Sequence, residues 1–480
     1  MIREILLASV LTIGGFGILL KSKIPEKSPT LWTILSLPVG VAFFTVFNAI
    51  AFALNINNVL AGLFLLYAVA IFCAASTYEG KQNLFKQFGA LLVALGMVTI
   101  LLIVVSALVS PILTNDSYAI LLTGRSIGSP IFTMDSPLLN SYPMMVLNFQ
   151  AIGEIFGLDY IVYLPVVTGL LAIAGSISIV SDTYFSPKRN ARIAILSLYI
   201  ILGIFWITTW MLRSQLGYLN SHMLMAGFYS LGLSICISRD SVSQTFGSLF
   251  SGLLIGVVAF IRLEGLLFMA LLLFAIFSHG YFSKKQIIKL TAAALTAPII
   301  WFGRLLIEGN RGDIISPKTI ILMLTLSLMP SLLATFKFTK QLSVLMPQVV
   351  TIGLSVIWSF YLLTSDKAVE SSLVILSNLF ATGYWGSFWW TFGPIALVLV
   401  VFGPRIRDEN VWLELTAGGT LTVLLLGAIR TNPYRIGWGD SGNRMIFHLA
   451  PIVLLYIFAK IGTSLIPEDH SENSKVNRTI

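Results

Sequence analysis

Charged residues are scarce in this sequence. Only 11% of the 480 residues are Asp, Glu, Lys or Arg, whereas a soluble globular domain usually carries about 25%. Hydrophobic residues make up 56%, and apolar runs of about 20 residues recur from end to end, as membrane-spanning helices require. Long polar stretches are missing, which excludes a sizeable soluble domain. The sequence therefore predicts an all-α polytopic membrane protein.

Cysteine is almost absent as well. Cys73 and Cys236 both lie in apolar runs, so they are predicted to be buried core residues and not a disulfide framework. The net charge of +9 comes from basic residues scattered among short loops. This scatter argues against nucleic acid as a partner and fits a chain whose surroundings are membrane lipids.

Fifteen apolar runs have the length predicted for transmembrane helices. The first lacks a small-residue cleavage site and is predicted to be retained in the membrane. The segment Tyr142–Phe156 is predicted to be an interfacial or re-entrant helix, because a sixteenth span there would place Lys188–Arg192 outside. The fifteen runs lie near residues 4–20, 31–53, 56–75, 88–112, 160–180, 193–211, 222–238, 245–261, 264–280, 286–304, 319–336, 342–363, 387–403, 411–429 and 445–464.

The basic loops set the predicted topology. Alternate loops are basic, at residues 21–27, 81–86, 188–192, 239, 284–289, 337–340 and 405–407. The positive-inside rule assigns these loops to the cytoplasm, with the polar tail 465–480 on the same side. The N-terminus and the stretch 114–157 are then predicted to lie outside.

Arginine is the main cation on the predicted outer side, whereas lysine fills the inner loops. A guanidinium group grips phosphate through paired hydrogen bonds and stays charged when partly buried, which predicts an anionic ligand such as a lipid phosphate. The alternative is that these side chains reach from helix ends to lipid headgroups. The outer arginines are Arg125, Arg213, Arg262, Arg304, Arg311, Arg430, Arg435 and Arg444.

Two aspartates follow the fourth long span. Asp116 precedes an amphipathic segment, where it either caps a helix or has a chemical role. Asp135 comes nineteen residues later; it either joins Asp116 or belongs to the turn that Ser136-Pro137 indicates. A carboxylate pair is able to take a proton from a hydroxyl or to bind a divalent metal, Mg²⁺ or Mn²⁺, with Asp116 as ligand.

Three later stretches hold further candidate binding residues. The polar connection 213–222 contains Arg213 and His222, and this histidine is either a second proton carrier or an interfacial residue. Arg262 and Glu264 flank a tight turn between two apolar runs, where they either pair with each other or contact a ligand. The last outer loop is the richest in phosphate- and sugar-binding side chains, and its candidates are Tyr434, Arg435, Asp440 and Arg444.

The order of these pieces resembles the GT-C superfamily of integral-membrane glycosyltransferases, which use polyprenyl-phosphate-linked sugars. An Asp beyond an early span is followed by a Tyr-Pro helix that ends in Ile155-Phe156-Gly157. Gly252–Gly256 then leads into Arg262-Leu263-Glu264-Gly265-Leu266-Leu267, and Gly439–Met445 enters a last span that contains Pro451. The resemblance covers residues 88–464. It implies a GT-C-like transmembrane catalytic domain there, preceded by additional helices at 1–87 and followed by the tail 465–480.

The resemblance implies roles as well as a fold. It places Asp116 in an extracytoplasmic first catalytic loop with juxtamembrane helices, and a basic residue, Arg262 or Arg444, beside the lipid phosphate. The chain departs from the oligosaccharyltransferases, because Tyr384–Trp390 lacks the aspartate of their WWD-type signature. Transfer of a single sugar therefore fits better than transfer of a whole glycan.

These observations lead to a functional hypothesis and a rival. The hypothesis is a cell-membrane glycosyltransferase, inverting or retaining, that moves a sugar from a polyprenyl-phosphate donor to a glycan, lipid or protein acceptor at the outer face. The rival is a transporter or flippase of lipid-linked sugars, which would be expected to show inverted repeats and polar groups near the middle of the membrane. A structural membrane subunit would leave the outer arginines unexplained.

Overall fold

The computed structural model shows a helical chain. Within the part that it describes, the backbone forms helices and turns, with no β-strand apart from an isolated bridge between Ile112 and Tyr218. It describes residues 1–21, 29–56, 58–77, 81–127, 143–158, 160–185, 196, 199–200, 203–204, 206, 208–218, 221–238, 245–279, 282–308, 316–336, 339–406, 408–430 and 432–464.

The described α-helices are numbered here in chain order. Up to residue 260 they are α1 (Ile2–Leu19), α2 (Pro29–Ala53), α3 (Val59–Ser76), α4 (Lys81–Leu108), α5 (Asn115–Ser126), α6 (Met145–Ile155), α7 (Tyr163–Tyr184), α8 (Trp210–Ser214), α9 (His222–Ile237) and α10 (Thr245–Gly256), which a 3₁₀ turn at Val257–Phe260 follows. The later ones are α11 (Gly265–Ser278), α12 (Lys284–Ile307), α13 (Pro317–Leu333), α14 (Thr339–Thr364), α15 (Asp366–Ser377), α16 (Phe388–Phe402), α17 (Glu409–Ile429), α18 (Ser441–Ile446) and α19 (Ala450–Ser464).

The described part of the chain contains nine helical stretches that are long and apolar enough to cross a membrane. Five shorter apolar helices lie between them, at His222–Ile237, Gly247–Phe260, Gly265–Ser278, Pro317–Leu333 and Phe388–Phe402. About half of the predicted run 193–211 falls outside the described residues. The prediction of an all-α multi-pass membrane protein is therefore confirmed, whereas the total of fifteen spans stays a prediction.

Helix α6 has eleven residues, of which Met145–Gly153 are buried. Its length is about 16 Å, roughly half the thickness of a bilayer core. Gln150 ties it to the chain that follows: the amide nitrogen donates to the carbonyl of Ile161 (2.8 Å) and the amide oxygen accepts from the Ile161 N–H (3.1 Å). This helix is short for a transmembrane span, and the interfacial or re-entrant placement of the segment stays a prediction.

The N-terminal helices pack directly on the rest of the chain. The buried Glu4 carboxylate accepts from the backbone N–H groups of Tyr163 (3.1 Å) and Leu164 (2.7 Å), at the start of α7. A carboxylate at a helix N-terminus satisfies otherwise unpaired N–H groups and the positive end of the helix dipole. Arg3 adds a bond from Nη1 to the carbonyl of Gly157 (2.6 Å). Helix α1 is thus tied to the start of α7 and to the residues just before it.

Helices α7 and α9 touch backbone to backbone. A Cβ atom added at Gly169 would lie 2.4 Å from the carbonyl oxygen of Met223, and one added at Gly227 would lie 2.5 Å from the carbonyl oxygen of Gly169. Small residues allow such close approach between membrane helices, which pack by van der Waals contact. The contact fixes the start of α9 and therefore the position of His222.

Buried or partly buried polar side chains lie at both ends of the same helices. Glu264 precedes α11 and His279 follows it, and α17 lies between Asp408 and Arg430. The 14 residues of α11 separate the two ends by about 21 Å. One end carries most of the candidate site residues that the sequence analysis singled out.

Candidate functional site

Five separate segments meet in a polar group that we call the arginine cluster. The segments are the start of α5, the bridge residue before α9, the start of α9, the turn before α11, and the α18–α19 region. The cluster consists of Thr114, Tyr218, Ser221, His222, Arg262, Glu264, Arg444 and His448.

Arg444 joins the last loop of the chain to the first. Its side chain is buried, its Nη1 donates to the Tyr218 hydroxyl at 2.6 Å, and its guanidinium carbon lies 5.2 Å from the centroid of that ring. The Tyr218 hydroxyl lies 3.0 Å from Oγ1 of Thr114. A single hydrogen-bonded chain therefore runs from Arg444 to the residue before α5.

Arg262 lies on the tight turn that the sequence pattern indicated. Its Nε donates to Glu264 Oε1, and its Nη1 lies 3.4 Å from Ser221 Oγ and 3.3 Å from His222 Nε2. Gly265 makes the turn possible, because a Cβ atom there would lie 2.1 Å from the carbonyl oxygen of Val258. Arg262 and Glu264 do pair with each other, and the same arginine also reaches the start of α9.

His222 is half of a buried histidine pair. Its Nδ1 lies 2.8 Å from Nε2 of His448, and the two rings stack with centroids 5.0 Å apart. Because an arginine has only N–H donors, His222 Nε2 beside Arg262 is placed to accept. His222 Nδ1 then carries the proton and donates to His448. The two imidazoles thus extend the hydrogen-bonded chain inward from Arg262.

His448 was missed by the sequence reasoning. It lies in the predicted span 445–464, and its imidazole is fully buried. A histidine within an apolar run is itself a signal, because ionisable side chains in membrane segments are rare and usually functional. The charges of Arg262 and Arg444 both act on His222 and His448, so the two arginine-centred halves form one electrostatic unit.

Asp440 and Tyr434 take structural positions. The carboxylate of Asp440 caps α18, with Oδ2 accepting from Gly442 N (2.7 Å) and Asn443 N (3.2 Å), while Oδ1 accepts from Arg435 N (2.9 Å). The Tyr434 hydroxyl donates to the carbonyl of Val423 (2.8 Å). Burial raises the pKa of Tyr434, so this hydroxyl keeps its proton. Both residues shape the loop that presents Arg444.

Two predicted binding arginines have exposed side chains. Arg435 is exposed on the α17–α18 loop. Arg213 is exposed as well, and its guanidinium carbon lies 5.0 Å from the centroid of the Trp210 ring. Both remain candidates for the rim of the site, in contrast to the buried Arg444.

The two candidate catalytic aspartates are only partly located. Asp116 lies in the first turn of α5, but its side chain is outside the described residues, and Asp135 is outside them altogether. The N-cap position of α5 is occupied by Thr114, whose backbone N–H donates to Ser117 Oγ at 3.1 Å. Asp116 lies two residues after Thr114. The hydrogen-bonded chain described above links Thr114 to Arg444.

No family model, curated protein or solved structure matched this chain. The GT-C resemblance therefore depends on the sequence motifs alone, and the function must be argued from the groups in the site. Among the residues that the structure describes, no three His, Cys, Asp or Glu side chains come together to hold a metal ion. The divalent metal at Asp116 stays a prediction.

Asn443 holds the loops around the arginine cluster together. Its Oδ1 accepts from the Trp385 indole N–H (2.5 Å), and its Nδ2 donates to the carbonyls of Gly383 (3.1 Å) and Gly437 (3.3 Å). Tyr384, between two of these partners, has a φ of 61°, which a bulky residue rarely adopts. The amide of Asn443 thus stabilises an unfavourable turn.

Replacing Asn443 with alanine should destabilise the protein. Each buried group that loses its partner contributes a penalty of about 1–3 kcal/mol, so the melting temperature in detergent should fall markedly. Asn432→Ala is the matched control, because Asn432 is exposed on the same loop. Equal melting temperatures for the two variants would show that the amide network does not hold these loops.

Proposed function

We propose that this protein is a membrane glycosyltransferase that transfers a sugar from a polyprenyl-phosphate-linked donor to a glycan, lipid or protein acceptor at the outer face of the cell membrane. The observation that carries the proposal is the arginine cluster. Two guanidinium groups, Arg262 and Arg444, share a buried site beside apolar helices. That site connects to the segment bearing Asp116.

The arginines suit the leaving group of this reaction. In glycosyl transfer the bond between the anomeric carbon and the phosphate oxygen breaks, and the phosphate keeps the electron pair. Arg262 and Arg444 would stabilise that negative charge, with Arg435 at the rim, because guanidinium donors match phosphate oxygens and act strongly away from bulk water. The polyprenyl chain would remain in the lipid beside the helices.

The candidate carboxylates would activate the hydroxyl group that attacks the sugar. A bond forms between the acceptor hydroxyl oxygen and the anomeric carbon, and the hydroxyl proton passes to a base. We assign that role to Asp116, with Asp135 as its helper; Asp116 as a metal ligand remains the alternative. Tyr218 and Thr114 support the assignment, since they tie the start of α5 to Arg444.

The histidine pair orients Arg262 in this proposal. Ser221 and His222 contact Nη1 of the Arg262 guanidinium group, and Glu264 accepts from its Nε. A guanidinium held in this way loses less conformational freedom when it binds phosphate. In this proposal, His222 therefore acts by positioning Arg262 and does not serve as a second proton carrier.

The rival function, transport or flipping of a lipid-linked sugar, gains support from one observation. Glu414 and the His279–Asp408 pair are buried ionisable groups away from the arginine cluster. Such groups within membrane segments often mark ion pathways. Polar groups of this kind, near the middle of the membrane, are what the transport function would be expected to show.

A transfer assay with purified protein tests the proposal against its rival. Detergent-solubilised protein is incubated with a radiolabelled polyprenyl-phosphate sugar and delipidated membrane glycan as acceptor. We expect label in the acceptor fraction, because chemistry needs no sealed compartment whereas transport does. Movement of the intact donor across liposomes, without transfer in either preparation, would establish the rival.

A further inference from the structure

Glu414 is a buried carboxyl group that the proposed reaction does not use. It lies in α17, one of the candidate spans, and is 1% exposed. Among the described residues neither carboxyl oxygen has a partner at ordinary hydrogen-bond distance, and the Ser278 hydroxyl is the polar side chain that acts on it. An ionised carboxylate without a partner is among the most expensive groups to bury in a membrane protein, so this position calls for an explanation.

The surroundings of Glu414 are uncharged. Tyr229 and Cys236 face it from α9, and Ser278 faces it from the end of α11. The Tyr229 hydroxyl donates to the carbonyl of Leu415 (3.1 Å), and the Ser278 hydroxyl donates to the carbonyl of Phe274 (2.8 Å). No described cation acts on the carboxyl group. The group is therefore held at lowest cost in its neutral, protonated form.

Glu409, on the same helix, shows the opposite arrangement. Its carboxylate forms an ion pair with Lys460 (2.5 Å) and accepts from the Tyr456 hydroxyl (2.8 Å). Lys460 also donates to the carbonyl of Pro404 (2.7 Å). A carboxylate with a cation and a hydroxyl donor is stable when ionised. Two glutamates five residues apart thus differ in their partners: Glu409 has a cation and a hydroxyl donor, whereas Glu414 has no described cation beside it.

A second buried ionisable pair, Asp408 and His279, lies at the end of α17 that is nearer to Glu414. Asp408 Oδ1 lies 2.9 Å from Nε2 of His279, and Asp408 Oδ2 accepts from the Tyr184 hydroxyl (3.1 Å). His279 directly follows Ser278, the residue that faces Glu414. Asp408 precedes Glu414 by six residues, or about 9 Å along the helix axis.

We propose that Glu414 binds a proton within the membrane and exchanges it, by way of Ser278 and the His279–Asp408 pair, with water at the face where α17 begins. The proton passes from water to the His279–Asp408 pair and then to the carboxylate of Glu414, with no change of oxidation state. The positive-inside rule predicts that this face is cytoplasmic. The inference is independent of glycosyl transfer.

Infrared spectroscopy of the full-length protein in detergent tests the protonation state. The wild type should show the C=O stretching band of a protonated carboxyl group, which moves when the protein is transferred to D₂O. Glu414→Gln should lose this band, and the matched variant Glu409→Gln should keep it. A band that survives in Glu414→Gln, or is absent from the wild type, overturns the proposal.

The route is tested through the rate at which the band moves in D₂O. Asp408→Asn should slow this exchange by roughly 100-fold, the scale on which a positioned acid or base speeds proton transfer. Tyr184→Phe is the milder variant if Asp408→Asn does not fold, because it removes one hydrogen bond to the same carboxylate. Unchanged exchange in the folded variants would overturn the proposed route.

Discussion

Replacing Arg444 with alanine should lower sugar transfer by about 10²–10³-fold, the usual effect of removing a donor that stabilises developing negative charge. The buried guanidinium is held by Tyr218 and by the backbone of Asp440, so it meets a phosphate group already oriented. Arg444→Lys keeps the charge but loses the planar fork, and it should recover only part of the activity. Initial rates with saturating acceptor measure both effects.

Arg405→Ala is the matched control for the loss at Arg444. Arg405 is exposed in the stretch before α17 and belongs to neither the arginine cluster nor its rim, so its removal should leave transfer unchanged. Melting temperatures separate loss of function from loss of fold. Equal activities for folded Arg444→Ala and Arg405→Ala proteins would remove Arg444 from the site.

The sequence predicts membrane class and helix positions well because each depends on local composition. A run such as 411–429 must satisfy its backbone hydrogen bonds internally when it crosses lipid, and α17 (Glu409–Ile429) coincides with it. The length of an apolar run in the sequence predicts the length of the resulting helix less well. Runs such as 264–280 form helices shorter than a typical span, and their ends are set by packing and by turns such as that at Gly265.

The arginine cluster could be predicted only in part. Arg262, His222 and Arg444 were singled out separately, because each is polar at the edge of an apolar run. Their convergence depends on contacts between residues up to 226 positions apart, such as the one between His222 and His448. A single sequence contains no direct sign of these pairings, which follow from how α9, α11 and α19 pack.

Residue type also failed to separate binding from structure in the last loop. Asp440 and Tyr434 have the side chains expected for sugar or phosphate binding, yet their polar atoms engage backbone groups of the loop and of α17. Aspartate is favoured at helix N-caps for the same reason that it suits ligands: its oxygens accept hydrogen bonds. Only the positions of the neighbouring N–H groups decide between these two uses.

Asp116→Asn should abolish sugar transfer, because the amide has nearly the shape of the carboxylate but does not take up a proton. Loss of a general base lowers rates by about 10²–10⁴-fold, which would bring transfer to background. Asp366→Asn is the matched control, since Asp366 is an exposed aspartate in the first turn of α15. Full activity of folded Asp116→Asn protein would exclude both proposed roles for Asp116.

A chelator then separates those two roles. If Asp116 acts as the base, wild-type transfer should continue after divalent ions are removed. If it is a metal ligand, the chelator should stop wild-type transfer, and Mg²⁺ or Mn²⁺ should restore it. Arg444→Ala should remain impaired under every metal condition, because its guanidinium acts on the phosphate whichever group takes the proton.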